Sequence, residues 1–226
     1  MFRQPSFGVI LFSLIALNAG MAALAVVRYP AFFEQHSALV YLMELAGILF
    51  LYMVATVCLF RARGRVWNTI LANASAFGVI TGVLEVLNIG LENAAPAAAR
   101  IPALSIGFMV IVFSMWGIAG ARTARSENST RAGVATAVLS AGFCMLLAVA
   151  GGFLIELLVA PPDPAAVSMW AEYRRSGWTD PRAFGLANTL DSGFTHLVIA
   201  PIVASVFGVI GSLLARYVRP TAKSSL

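Results

Sequence analysis

The sequence predicts an all-α protein: a polytopic membrane bundle of six transmembrane helices, with a short interfacial helix in a long outer loop. Composition is the first reason. Of 226 residues, 60% are hydrophobic and 11% charged, and the mean hydropathy is +0.86, whereas a soluble domain is about half apolar and about a quarter charged. Distribution is the second. The apolar residues fall into six windows, at 7–27, 38–60, 69–91, 101–121, 134–160 and 194–216, and about 20 residues suffice to cross a hydrocarbon core about 30 Å thick. These runs are continuous and rich in Ala, Leu, Val and Gly, unlike the alternating strands of about ten residues that build a membrane barrel. What remains is connection, so residues 1–226 are expected to form a single membrane domain of three helical hairpins.

The first window follows Arg3 and contains Ala23, Leu24 and Ala25, a triplet that imitates a signal-peptide cleavage site; it is read as a retained helix with Asn18 at its middle. The second and third hairpins share a faint pattern: "SAFGVITGVLEVL" before "AAPAAA" is similar to "SAGFCMLLAVAGGFLIELL" before "APPDPAA". Internal repeats are common in transporters, but Ala- and Gly-rich helices produce such likeness by chance, and chance is the preferred reading.

The long outer loop, 161–193, opens with Asp163 and Pro164, a helix-start signal, and reaches a stop at Gly177. The stretch "DPAAVSMWAEYRRSG" therefore reads as one short helix, with Val167, Trp170 and Tyr173 on one side as an interfacial aromatic anchor. Asp180 and Pro181 repeat the start signal, and "DPRAFGLANTLDSGFTH" is expected to be a helix that bends near Gly193 into the last span. Within that span Pro201 lacks a backbone donor and predicts a bend. Ala204, Gly208 and Ser212 have the small-xxx-small spacing of close helix contacts, read as packing inside the bundle ahead of a homodimer.

Orientation follows from Lys and Arg in the short loops. One side collects Arg3, Arg61, Arg63, Arg65, Arg122, Arg125, Arg131, Arg216, Arg219 and Lys223; the other has Arg28, Arg100, Arg174, Arg175 and Arg182. Both termini are expected in the cytoplasm and the protein in the plasma (inner) membrane. The basic clusters flank helices, where they meet anionic membrane lipid, so the charge of +5 requires no nucleic acid.

Polar residues inside the apolar windows carry the functional signal. At 100° per residue, Thr81, Glu85, Asn88 and Glu92 form a stripe that Ala74 and Gly78 continue inward. A central charge facing lipid costs at least about 2.5 kcal/mol, so the stripe is expected to face the bundle interior or a wet cavity. Glu44, with Ser37 and Tyr41 on its face, and Glu156 lie near the outer ends of their windows. Asn188, Asp191, Ser192 and Thr195 share another face, with His196 at its edge. The predicted ligand or ion cavity is thus Glu44, Glu85, Asn88, Glu156, Asp191 and His196, all in the outer half, while the inner half has no acid or base in its spans. Arg28, Arg100 and Arg182 are the candidates to neutralise these acids. Unpaired, a carboxylate in low dielectric takes up a proton or gathers a cation, a basic ligand or water.

Several chemistries lack their residues. No C-x-x-C, G-x-S-x-G or Walker loop occurs, and no lysine lies within a span. Cys58 and Cys144 are read as small buried hydrophobes. His36 and His196 as haem ligands, or His196 with Asp191 and a glutamate as a zinc site, have the ligand types but no supporting spacing. No cofactor and no metal is assigned.

Three functions stay open. The preferred one is a non-enzymatic membrane subunit or binding protein with an outward-facing polar cavity, its partners a protein, a second copy or a small hydrophobic or cationic ligand. A proton- or cation-linked transporter using the glutamates is the first alternative. An intramembrane enzyme acting on a lipid-soluble substrate by carboxylate acid/base chemistry is the second.

Overall fold

The computed structural model describes residues 4–35, 37–61, 64–94, 102–159 and 163–217. Each apolar window lies in a long helix: α1 (Gln4–Arg28), α2 (Ala38–Arg61), α3 (Arg65–Ala94), α4 (Pro102–Glu127), α5 (Thr130–Leu154) and α8 (Pro181–Tyr217). Two short helices, α6 (Pro164–Ser168) and α7 (Ala171–Ser176), lie between α5 and α8, and a 3-10 turn (Pro30–Glu34) joins α1 to α2. No strand occurs among the described residues. The fold is therefore an all-α bundle with six helices long and apolar enough to cross a membrane.

α5 is the axis of the bundle. Its apolar window is 67% buried, against 39% or less for the other five. The reason lies in its side chains: Ala137, Ser140, Ala141, Gly142, Cys144 and Ala148, all buried, point to several sides and are small enough for neighbours to come close on each. α1, α3, α4 and α8 pack on it, and α2 closes the ring between α8 and α1.

Glycines set the closest approaches. A Cβ on Gly78 of α3 would lie 2.8 Å from Phe143 Cβ and 3.0 Å from Ser140 O, and one on Gly82 2.9 Å from Leu147. These contacts register α3 alongside α5, both running away from the basic end, the end that carries Arg65, Arg131 and Arg216. At that end, α4, α5 and α8 meet in the same way. A Cβ on Gly211 would overlap the backbone of Gly117, and one on Gly208 would sit 2.8 Å from Ala137 Cβ. Ala204, Gly208 and Ser212 are all buried within this contact. The small-xxx-small spacing serves packing inside the chain.

Side-chain hydrogen bonds tie the ring together. Asn18 donates from Nδ2 to Leu146 O of α5 at 2.9 Å and to Leu14 O at 2.8 Å, and Asn73 of α3 donates to Thr123 Oγ1 of α4 at 2.8 Å. Tyr52 of α2 donates to Leu197 O of α8 at 2.9 Å. Leu197 is four residues before Pro201, so its carbonyl is the one that the missing proline N–H leaves unserved. α8 remains helical through Pro201 because the neighbouring helix supplies the donor.

Two expectations about the outer loop need correction. The last helix does not begin at Phe194 after a bend at Gly193; it starts at Pro181 and runs unbroken for 37 residues. Gly193 is a packing residue, since a Cβ there would lie 3.1 Å from Val149 Cγ1. The stretch after Asp163 is two short helices rather than one. Its start and stop signals hold, with Asp163 Oδ1 accepting from Ala165 N and Gly177 left-handed at φ 76°. Between them Trp170 adopts an extended backbone, and its ring packs on Phe184 of α8 with centroids 6.4 Å apart. Tyr173 and Trp178 pack on the same ring at 5.4 and 6.3 Å, and Trp178 also meets Phe32 at 5.8 Å. The aromatic side faces the protein, holding the loop against the end of α8.

Candidate functional site

Counting along the helices fixes how far from the basic end the polar residues lie. Arg65 to Glu85 and Arg216 to His196 are each twenty residues apart, about 30 Å of helix, which equals the thickness of the hydrocarbon core. Glu85 and His196 therefore lie about one hydrocarbon-core thickness from the basic end.

They are also near one another. Asn88 is one turn beyond Glu85, and Asn88, His196 and Glu92 all lie within electrostatic reach of its carboxylate. His196 Nδ1 is 2.7 Å from Ser192 O. A carbonyl only accepts, so this bond places the proton of a neutral ring on Nδ1 and leaves Nε2 free to accept. Glu92 in turn accepts from Ser105 Oγ of α4. α3 and α8 each pack on α4 and α5 but scarcely on each other, so Glu85 and His196 stand on either side of the cleft between α3 and α8, without an ion pair between them.

A second polar region lies farther from the basic end. After Leu154 the helix widens into one π turn, Ile155–Val159, a feature frequent at functional sites. This turn carries Glu156, which accepts a hydrogen bond from Thr189 Oγ1 of α8. Arg28, the last residue of α1, donates from Nη1 to Leu157 O at 2.8 Å. These groups open onto a cavity of about 590 Å³ lined by Arg28, Tyr29, Pro30, Glu156, Asp163, Asp180, Arg182 and Leu186, among others. We refer to it as the vestibule.

Its charges are not spent on one another. Among the described residues the one ion pair is Arg175 with Glu172 at 3.9 Å, exposed and elsewhere. Asp163 and Asp180 each use one oxygen to cap a helix, at 3.0 Å to Ala165 N and 2.8 Å to Arg182 N. The other oxygens remain available, as does the Arg182 guanidinium.

No protein-family model, curated protein or solved structure matches this chain.

The six residues expected to share one cavity are divided by the tertiary structure. Asn88 and His196 lie within electrostatic reach of Glu85 at the cleft, and Glu156 belongs to the vestibule. Glu44 is half-buried on α2, which flanks α8 and α1 but does not pack on α3, and Asp191 is exposed; neither joins either group. Of the candidate neutralising arginines, Arg28 and Arg182 line the vestibule with Glu156. His36 and Arg100 lie outside the described residues. Thr81 is fully buried and donates to Phe77 O at 2.8 Å in its own helix, and Asn18 is a crosslink between α1 and α5. Among the described residues no three of His, Cys, Asp and Glu are grouped to hold a metal ion.

Sequence reasoning missed Thr189 and the roles of Asp163 and Asp180 as vestibule walls. The two aspartates stood out only as helix-start signals; nothing in the pattern said that the two starts face one cavity. Thr189 sits seven residues, about two turns, before His196, so the polar face of α8 reaches from the cleft to the vestibule.

Proposed function

We propose that the protein is a membrane subunit or binding protein that takes a small zwitterionic ligand in the vestibule, from the side opposite the basic end. By the rule that short basic loops stay inside, that is the outer side. The carrying observation is the uncompensated charge of a cavity of suitable size: two guanidinium groups and three carboxylates face about 590 Å³ without pairing. Small-molecule sites are commonly about 300–1,000 Å³ with a few convergent polar groups. Arg28 and Arg182 suit a carboxylate or phosphate on the ligand, and Glu156, Asp163 and Asp180 suit its ammonium group. The glycine-stitched contact of α4, α5 and α8 supports binding ahead of transport. There the buried hydroxyls of Thr136 and Ser140 bond to their own helix, at 2.9 and 2.8 Å.

The test is thermal unfolding of the purified protein in detergent with a panel of zwitterionic, cationic and anionic small molecules. A zwitterion should stabilise it saturably, by about 2.7 kcal/mol at a hundred times Kd, and both Arg182→Gln and Glu156→Gln should abolish the shift. Stabilisation that survives both substitutions would place the ligand elsewhere, and no stabilisation by any class would reject the reading.

The placement of Glu85 within electrostatic reach of His196 favours one second reading, a proton- or cation-linked carrier. Ligand uptake into proteoliposomes would then be driven by an imposed proton, sodium or potassium gradient, and Glu85→Gln would stop this. Wild-type uptake that none of these gradients changes, under every ligand tested, excludes it.

A further inference from the structure

We infer that the groove between α4 and α8 at the basic end holds an anionic phospholipid, one acyl chain in the groove and the phosphate on Arg122 and Arg125. The groove has a volume of about 600 Å³. Ile118, Phe207, Ile210 and Leu214 wall it, and its floor is the contact of Gly117 with Gly211, where neither helix has a side chain to fill the space. From Ser114 to Arg125 it follows α4 for eleven residues, about 16 Å, close to half of a core about 30 Å thick. The depth is that of one leaflet, with the arginines at the headgroup level and the apolar end near the midplane.

Charge selects the lipid class. Arg122 and Arg125 are one turn apart on α4, so their side chains share a face; both are exposed, and neither has a hydrogen bond or ion pair among the described residues. Glu127, the acid nearest in sequence, is two residues beyond Arg125 and so points to the other side of the helix. Arg216 adds a third positive charge at this end, 3.4 Å from Thr130 Oγ1. Guanidinium groups at a membrane surface attract phosphate both as charges and as paired donors. A zwitterionic lipid would bring its own ammonium group into the same field.

The site is independent of the vestibule, and so is its test. The protein, purified in mild detergent, is given phosphatidylglycerol or phosphatidylcholine with the same acyl chains, and retained lipid is counted by native mass spectrometry. Wild type should keep about one phosphatidylglycerol per chain under activation that strips phosphatidylcholine. R122Q/R125Q should lose that preference by at least about tenfold. Ile118→Trp, which fills the groove and leaves both arginines in place, should lower retention as well. Circular dichroism establishes that each variant is folded, and the arginine pair decides the outcome if the tryptophan variant is not. Equal retention of the two lipids by wild type overturns the inference, as does unchanged retention by R122Q/R125Q. A lipid-free dimer would also overturn it, by assigning the groove to a second copy of the chain.

Discussion

Tyr52 and Pro201 are a pair that no single helix explains. Proline leaves Leu197 O without its helical donor, and the tyrosine hydroxyl replaces it from α2. Hydrogen bonds between membrane helices average about 0.6 kcal/mol, with 1–2 kcal/mol in model peptides. Tyr52→Phe should thus destabilise the protein by about 1 kcal/mol in a denaturing-detergent titration. In a Pro201→Ala background the same change should cost less, because residue 201 then serves the carbonyl itself. Identical costs in the two backgrounds would show that the bond does not repair the proline. Asn18 is a simpler crosslink: Asn18→Ala removes the donor to Leu146 O and should cost a similar amount, measured in the same way. Neither role was legible in the sequence. A polar residue in an apolar run announces a partner, but which carbonyl faces it depends on how distant helices dock.

At the scale of elements, the glycines sort the helix contacts. Gly211 and Gly107 are both interior to long helices, yet a Cβ on the first would overlap Gly117 while the second has open space around it. Gly211→Ala should therefore separate α4 from α8 and cost about 1–3 kcal/mol. Gly107→Ala should be neutral or stabilising, by up to about 1 kcal/mol through helix propensity. Thermal unfolding of the two variants side by side checks this, and equal losses would contradict the close α4–α8 contact. The six spans were readable because burial in lipid demands long apolar runs. The outer loop was read less well. Gly193 looked like a bend because glycine weakens a helix, whereas its missing side chain is what lets α8 lie against Val149. Met169 and Trp170 break the loop helix because Trp170 has a ring to bury on Phe184, a contact beyond local propensity.

The whole molecule is a ring of helices around α5 with polar groups gathered at one end and basic residues at the other. Six helices long enough to cross would return the chain to the side on which it started, and the proposal that this side is the cytoplasm rests on loop basicity. Reporter domains fused to each terminus should both be active in the cytoplasm, and a reporter inserted at Arg174 or Arg175 in the exposed turn of α7 only outside. Any split between the two termini would remove a span from the count. An Ala-, Gly- and Ser-rich helix is a weak sign that many neighbours approach it, and in α5 this sign was present without being decisive.

The sequence by itself determined that the chain is an all-α bundle, how many of its helices are long and apolar enough to cross a membrane, and which helix ends are basic. Each follows from hydrocarbon excluding charge and unpaired backbone, a constraint that acts on every span separately. Only the tertiary structure decided that α5 is central, that Glu85 lies within electrostatic reach of His196, and that Glu156 belongs with Arg28 and Arg182. Those facts depend on which helix faces touch and at what register, and small residues set both through contacts between segments far apart in the chain.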